Sequence, residues 1–573
     1  MNKTTTQAIK RMTAISLVGL VAGLTAAFAT IGFVELVHYL NDVLYVSASS
    51  RSDLDSGRLW LITASVLSIG GLLVGLTLRY GVENGTQTGP ADTIYAVQLH
   101  EKLPSTRSGL SSTAASVLSL GCGASVGQYG PLVYLGTLIG QLTNRLPFGL
   151  SDVRSIAVAC GVAASISTAF NAPIAALIFT HEVILRHYSL RMFTAVTVAS
   201  ACGYLVANVI FEHPPLFLIE FDGGFRWIEF LLFALEGIAC GILAVLFMKL
   251  LQSSTQLARR VKTPAAIKPM IAGFILSLVA LQVPEVLGAE QMVFSQAAQG
   301  GIYTADALLM ILVAKLLVTV MCIGFGFAGG VIFPALLIGV LFGALFALLV
   351  PGQLLSDYSG LPVYAVCGMV AIMGPVIGAP MTALLMVFEL TRNYEITIAA
   401  MVAIVFANLV AYQWVGRSLY DFQLSQRGID LSQGRERAYL MHHTVVDLLT
   451  DSLPVVQRDA SLSDLCRRMA EKSTAAAVIV DATGSYLGLV TQHLLHDRQD
   501  SSSVAEIDLE TGPEFNENTS IWEAMETMRG YIGEAIPLID SASGRYLGAI
   551  PEAVVINAYL DAGHELRREE YEV

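Results

Sequence analysis

Charge is what this sequence has least of. Only 14% of its 573 residues are Asp, Glu, Lys or Arg, where soluble proteins carry about 25%. A chain so poor in charge cannot solvate a water-facing surface all round. Its hydrophobic share of 54% and mean hydropathy of +0.62 point to lipid as the solvent. Clustered cysteine is missing too. Cys122, Cys160, Cys202, Cys240, Cys322, Cys367 and Cys466 stand apart, without a CxxC or other ligand spacing. Thiolate metal sites are thereby excluded, and the cysteines read as small buried hydrophobes. No nucleophile–base set or metal-ligand cluster appears, which removes an enzyme reading and leaves no cofactor to expect. Nor is a cleavable leader evident. Lys3, Lys10 and Arg11 precede an apolar run to about Leu40, too long for a signal segment and read as a first membrane helix.

The charge that is present is uneven. Residues 441–573 hold 23 acids and 9 bases, a net of −14, whereas residues 1–440 hold 23 acids and 24 bases, a net of +1. A near-neutral apolar body is joined to an acidic, water-soluble tail. The acidity excludes nucleic acid as a partner, because phosphate contacts need a basic surface. Lys3, Lys10 and Arg11, and a central loop with Arg259, Arg260, Lys262 and Lys268, are assigned to the cytoplasmic side by the positive-inside rule. The tail, and so both termini, are expected on that side as well.

Apolar runs lie near 12–40, 59–79, 108–122, 131–146, 154–187, 191–212, 226–252, 269–284, 305–323, 331–350, 363–391 and 396–416. Several fall short of the roughly 20 helical residues that span hydrocarbon, and many are cut by Gly or Pro. Broken helices at membrane depth are tolerated where they line a cavity or pack within protein, and in transporters their free ends face the substrate.

The body repeats itself. Ala172-Pro173-Ile174-Ala175-Ala176-Leu177 returns as Ala379-Pro380-Met381-Thr382-Ala383-Leu384, and Glu182 returns as Glu389, all at an offset of 207. Gly127-Gln128-Tyr129-Gly130-Pro131 returns as Gly330-Val331-Ile332-Phe333-Pro334, at an offset of 203. Each half carries a Gly-rich turn opening a helix, then an Ala-Pro helix ending in Glu. If each half holds an odd number of helices, the halves are inverted across the membrane and the two turns meet near its midplane. The tail repeats as well: 485–490 returns as 545–550, and 461–469 as 520–528. Each tail unit reads helix, strand, turn, strand, helix.

A pore for a small anion must replace lost hydration without holding the ion fast. Helix N-termini do this with free N–H groups and about half a positive charge, and Gly lets backbone come close. Three segments fit: Gly85 to Pro90, Gly123 to Pro131, and Gly326 to Pro334. Each ends in a Pro, which a first helical turn accepts. The plainer alternative is close helix packing through small residues.

At these segments, and along essentially the whole chain, the sequence resembles the CLC family of chloride channels and proton/chloride exchangers, followed by a pair of CBS-like domains. The family's filter motifs GSGIP, GxEGP and GxFxP correspond to Thr86-Gln87-Thr88-Gly89-Pro90, Gly127-Gln128-Tyr129-Gly130-Pro131 and Gly330-Val331-Ile332-Phe333-Pro334. Phe170-Asn171-Ala172-Pro173 through Glu182, Lys315 through Gly330, Glu389-Leu390-Thr391 and Ser418-Leu419-Tyr420-Asp421 also match. The resemblance implies an anion held by the N–H groups of Val331 and Ile332 and by the Tyr420 hydroxyl, with Gly127, Gly130 and Gly330 around it. The family's filter serine falls on Gln87 when the prolines are aligned, and an amide can donate through its NH₂. Thr86 and Thr88 replace it if the register slips by one.

Two departures carry the functional expectation. The family's gating glutamate is Tyr129 here, preceded by Gln128. The exchangers' inner proton glutamate is Val183, one residue beyond Glu182. A phenol, with a reference pKa of about 10, is neutral between about pH 5 and 8. Tyr129 therefore neither competes as an anion nor ferries a proton in that range. Glu182 stays open between a helix-end ion pair and a proton carrier, and Lys315 between a vestibule charge and a buried pair. Glu389 reads as structural. In the tail, the Thr-to-Asp spacing by which CBS pairs hold a ribose is missing after Val490 and after Ile550, so no nucleotide is expected.

The expectation is an all-α polytopic membrane protein with an inverted-topology internal repeat, CLC-like, plus a cytosolic α/β tandem CBS-like domain. The transmembrane domain is assigned to 1–435, with repeats at about 12–225 and 226–425. The tail is assigned to 440–573, with modules at about 440–500 and 501–573. The expected activity is passive conduction of chloride and similar small anions, one pore per subunit of a homodimer, in the lipid of the inner cell membrane. A proton-coupled exchanger with a rewired proton path, and a non-conducting membrane-anchored sensor, are the alternatives.

Overall fold

The structure is a computed structural model. It describes residues 3–44, 46, 56–148, 153–213, 223–288, 290–355, 357–495, 503–531 and 533–571. The chain divides into two compact units, 1–427 and 428–572.

The first unit is helical. Among the described residues, seven helices are long and apolar enough to cross a membrane, and five shorter apolar ones accompany them. Two long apolar runs break where local chemistry forces it. The run over 154–187 stops at Phe170, because Asn171 is left-handed (φ 58) and Pro173 opens the next helix. That helix, Pro173–Phe179, continues as a π-helical turn, Thr180–Leu185, and ends on left-handed Arg186. The run over 363–391 breaks the same way, at Gly378 (φ 71), with Pro380 opening Pro380–Thr391 and left-handed Arg392 closing it. A residue before Pro is driven out of the α region, so each Ala-Pro step reads as a stop followed by a start.

The repeat extends to the packing. Helices Tyr129–Thr143 and Arg154–Phe170 cross where Gly136 and Gly140 lie on Gly161 and Ala157, so close that a Cβ on either Gly136 or Gly161 would run into the other's carbonyl oxygen. Helices Ile332–Leu349 and Leu361–Ile377 cross identically at Gly339, Gly343 and Gly368. Gly19 and Gly23 seat the first helix on Ala195 and Ala199, and Gly237 and Gly241 seat Trp227–Arg260 on Ala403 and Ala407. These four GxxxG steps, and a further one at Gly71 and Gly75 that seats Ser56–Gly81 on Pro269 and Ala266, let backbones meet, as membrane packing favours.

The second unit holds two three-stranded sheets. One has the order Val455–Gln457, Ala476–Val480, Tyr486–Thr491, and the other Phe515–Asn516, Ala535–Ile539, Tyr546–Pro551. The first pair in each is parallel and the second antiparallel. Helices Leu462–Lys472 and Ile521–Met528 make the crossovers, each capped by a serine, Ser461 or Ser520. Each module therefore opens on a short strand before its helix, a strand too brief to show as a periodic run. The modules join symmetrically: Tyr486 N donates to Gly544 O (3.0 Å) and Tyr546 N to Gly484 O (3.1 Å).

Candidate functional site

The three Gly-rich segments converge. Gly127 and Gly330 exchange backbone hydrogen bonds, N to O, at 2.8 and 2.6 Å, in an antiparallel bridge. Gly130 packs on Gly330 and on Pro90. Gln87 ties the first segment to the third: its Oε1 accepts from Gly329 N (2.8 Å), and its Nε2 donates to Ser116 Oγ (3.3 Å). Helices Pro90–Gln98, Tyr129–Thr143 and Ile332–Leu349 all begin here. Their first turns leave N–H groups without helical partners and carry the positive ends of the dipoles. Val331 and Ile332 are the N-cap and first residue of the third helix, and both are buried.

Tyr420 sits on a short helix, Leu419–Ser425, which packs against Pro90–Gln98. Asp92 fastens the two. Its Oδ2 accepts from Gly89 N (2.7 Å), and its Oδ1 pairs with Arg427 (2.9 Å). Tyr420 is buried, and its hydroxyl has no hydrogen-bond partner among the described residues. Thr88 is buried beside the Tyr134 phenol, and its Oγ1 also reaches no partner at good geometry. Orphaned buried hydroxyls are costly, and a hydroxyl can donate to an anion. The Gln87 amide bridges Gly329 and Ser116 but commits only one of the two N–H groups of Nε2, so Gln87 and Thr88 both stand as side-chain donors.

Tyr129 opens its helix and is almost wholly buried. Its ring stacks on Phe170 (centroids 3.6 Å apart, planes at 17°) and lies 5.7 Å from Phe333. The three rings border a cavity of about 110 Å³, lined also by Thr30, His38, Gln128, Asn171 and His213. A second cavity, about 400 Å³, is lined by Val183, Glu182, Arg186, Gly378, Ser418 and Asp421. The chain neighbours of Tyr420 thus wall a space that Val183 also borders.

Glu182 does not form the helix-end ion pair weighed from the sequence. Its carboxylate accepts from Met381 N (3.0 Å), Thr382 N (2.8 Å) and Thr382 Oγ1 (2.7 Å), because the start of Pro380–Thr391 offers unpaired N–H groups. The nearby cation, Arg186, pairs with Asp421 (2.6 Å) instead. His181 makes no hydrogen bond to Glu182: its Nδ1 faces Leu177 O (3.0 Å) and its ring stacks on Tyr188, while both residues border the second cavity. Lys315 is no open vestibule charge. It is fully buried and donates to Val286 O (3.3 Å).

Glu229 and Glu236 escaped the sequence reading. Both are fully buried on Trp227–Arg260. Glu229 accepts from Ser359 N (2.9 Å), Ser359 Oγ (2.6 Å) and Tyr364 Oη (3.4 Å). Glu236 faces Gly343 and Gly368 without a partner of good hydrogen-bond geometry. Acids inside an apolar run of that length are themselves a signal.

Comparison with known proteins follows the same division. The family model described as voltage gated chloride channel matches residues 70–412, and that described as CBS domain matches 445–495. A putative chloride channel protein ClcB-like from Ralstonia nicotianae is 29% identical over 428 residues, 73% of this chain and 97% of the relative. An H(+)/Cl(-) exchange transporter ClcA from Vibrio campbellii is 28% identical over 330 residues, 56% of this chain and 69% of the relative. Among solved structures, a slow cyanobacterial Cl-/H+ antiporter aligns with a TM-score of 0.65 at 22% identity, over 72% of this chain and 98% of the antiporter. A eukaryotic CLC transporter aligns with a TM-score of 0.63 at 17% identity, over 95% of this chain and 98% of the transporter. At those identities the likeness is one of fold.

Proposed function

The chain belongs to the voltage gated chloride channel family, as a multi-pass membrane protein with a C-terminal CBS domain, and from that premise we propose that it conducts chloride and similar small anions passively. The path runs from the cavity at Tyr129, past the N–H groups of Val331 and Ile332, to Tyr420 and the cavity at Val183. The observation that carries the reading is the pair of uncharged residues on that path. Tyr129, a phenol, stands at the start of one converging helix, and Val183, an alkyl side chain, borders the inner cavity. Neither cavity-lining position offers the carboxylate that a proton shuttle needs. The remaining features of the proposal are one path per subunit of a homodimer, residence in the inner membrane, cytoplasmic termini, and a tail without nucleotide.

Similarity to the Vibrio campbellii H(+)/Cl(-) exchange transporter favours a second reading, proton-coupled exchange. Glu182, which lines the inner cavity, would then carry the proton. Its three accepted hydrogen bonds hold it to a helix start and oppose that role. Flux from liposomes loaded with chloride, with external pH recorded, tests the proposal. Chloride should leave when charge is compensated, with no protons driven uphill. Uphill proton movement on a chloride gradient would overturn passive conduction.

A further inference from the structure

Tyr129 rests on something rigid. Phe170 is the last residue of Arg154–Phe170, fully packed, with its backbone fixed by left-handed Asn171. The Asn171 side chain is itself held, its Nδ2 donating to Asn208 Oδ1 (3.1 Å). Tyr129 also meets Phe333, at 5.7 Å, and Phe333 in turn lies 5.7 Å from Phe294. All three rings sit at buried helix ends, and Phe170 is the one whose chain neighbour is locked, by the left-handed backbone of Asn171 and its bond to Asn208. Tyr129, like Phe170 and Phe333, borders the cavity of about 110 Å³, so space into which a ring can swing adjoins the stack. The faces of the stacked rings themselves offer a passing anion no donor to replace water.

We propose that Phe170 is the fixed plate of an aromatic clamp, with Tyr129 as its moving leaf, and that anions pass only when the two rings part. The clamp deepens the passive-conduction reading and rests on it. A carboxylate gate is displaced by protonation. Here the closed state is held by ring stacking, a contact that no proton makes or breaks. Phe170 is accordingly a positioning residue: it touches Tyr129 and sets how often the path is open. Offset or stacked aromatic pairs contribute beyond simple area burial by an amount that corresponds to roughly a two- to tenfold shift in an equilibrium.

The test is chloride efflux from liposomes for Phe170→Leu, Tyr129→Leu, Tyr129→Phe and the double variant, each checked for monodispersity in detergent. Phe170→Leu keeps apolar volume but removes the ring, and should raise flux roughly two- to tenfold. Tyr129→Leu should do the same. Tyr129→Phe keeps the stack and should behave as the parent. The double variant should gain no more than either single, because both remove one contact. Raised flux for Tyr129→Leu with parental flux for Phe170→Leu would overturn the clamp and leave conduction standing. Absence of chloride flux from every well-folded variant and the parent would overturn conduction itself. If Phe170→Leu does not fold, the two Tyr129 variants still decide: equal flux from Tyr129→Phe and Tyr129→Leu excludes a stacking gate.

Discussion

Glu182 and Glu389 cap each other's helices. Glu182, beyond the end of Pro173–Phe179, accepts from the N–H groups of Met381 and Thr382 at 3.0 and 2.8 Å. Glu389, near the end of Pro380–Thr391, accepts from those of Ile174 and Ala175 at 2.8 and 2.7 Å. The two Ala-Pro helices are thus bound head to tail by a pair of exchanged carboxylates.

Removing either charge should therefore weaken the same unit. Hydrogen bonds to a charged group contribute about 1.5–3 kcal/mol, and the helix dipole adds to an anion at the N-terminus. Glu182→Gln and Glu389→Gln should each lower the thermal midpoint in detergent, by similar amounts. A fall for one with no change for the other would show that the exchange is not reciprocal in energy.

The glycine crossings should tolerate no side chain. Gly136→Val and Gly339→Val push a branched side chain into backbone carbonyls, and overpacking of this kind costs about 1–3 kcal/mol or more. Both should lower stability or the yield of monodisperse protein. Gly32 has nothing within 4 Å of where a Cβ would sit, and Gly32→Ala should gain up to about 1 kcal/mol from helix propensity. Stability of all three variants measured side by side separates packing from propensity.

Tyr420→Phe removes a buried hydroxyl without changing the ring. If that hydroxyl donates to the anion, chloride affinity should fall by about tenfold or more, the equivalent of one charged hydrogen bond. Calorimetric titration with chloride checks this. Without an anion to serve, the same change would relieve an unpaired buried group and raise the thermal midpoint while leaving chloride binding as it was.

The tail should lose stability in acid. Asp481 is held below the usual carboxylate range by the Thr483 hydroxyl and the Ser485 N–H, and Asp540 by the Ser543 hydroxyl and the Ala542 N–H. A depressed folded value means that the stabilisation is complete above the unfolded value of about 3.9 and is lost as pH falls through the folded one. Unfolding of the tail, followed by far-ultraviolet circular dichroism, should change little from pH 7 to about 5 and steepen below about 4. Asp481→Asn with Asp540→Asn should flatten that limb. An unchanged acid limb in the double variant would place the sensitivity elsewhere.

Much of this molecule is written in its local sequence. Lipid as solvent follows from composition. Each break in a long apolar run follows from Asn171, Gly378 and the two Ala-Pro steps, because φ, ψ preferences act between chain neighbours. The three helix starts around Gly89, Gln128 and Val331, and the serine caps of the tail modules, are legible for the same reason. The short first strands of those modules are not, since two or three residues carry no period.

What only the tertiary structure decided are the contacts between residues that the chain keeps far apart. That Phe170 lies under Tyr129, that Gln87 reaches Gly329, and that Glu182 meets a helix start instead of a cation depend on how helices cross. The crossings are set by backbone-to-backbone approach at Gly136, Gly161, Gly339 and Gly368. A glycine announces that something comes close, but it does not say what. The same holds for Lys315, Glu229 and Glu236: their types warn of a special environment, and only the packing of neighbouring helices determines whether a charge inside an apolar run meets a carbonyl, a hydroxyl or an unpaired interior.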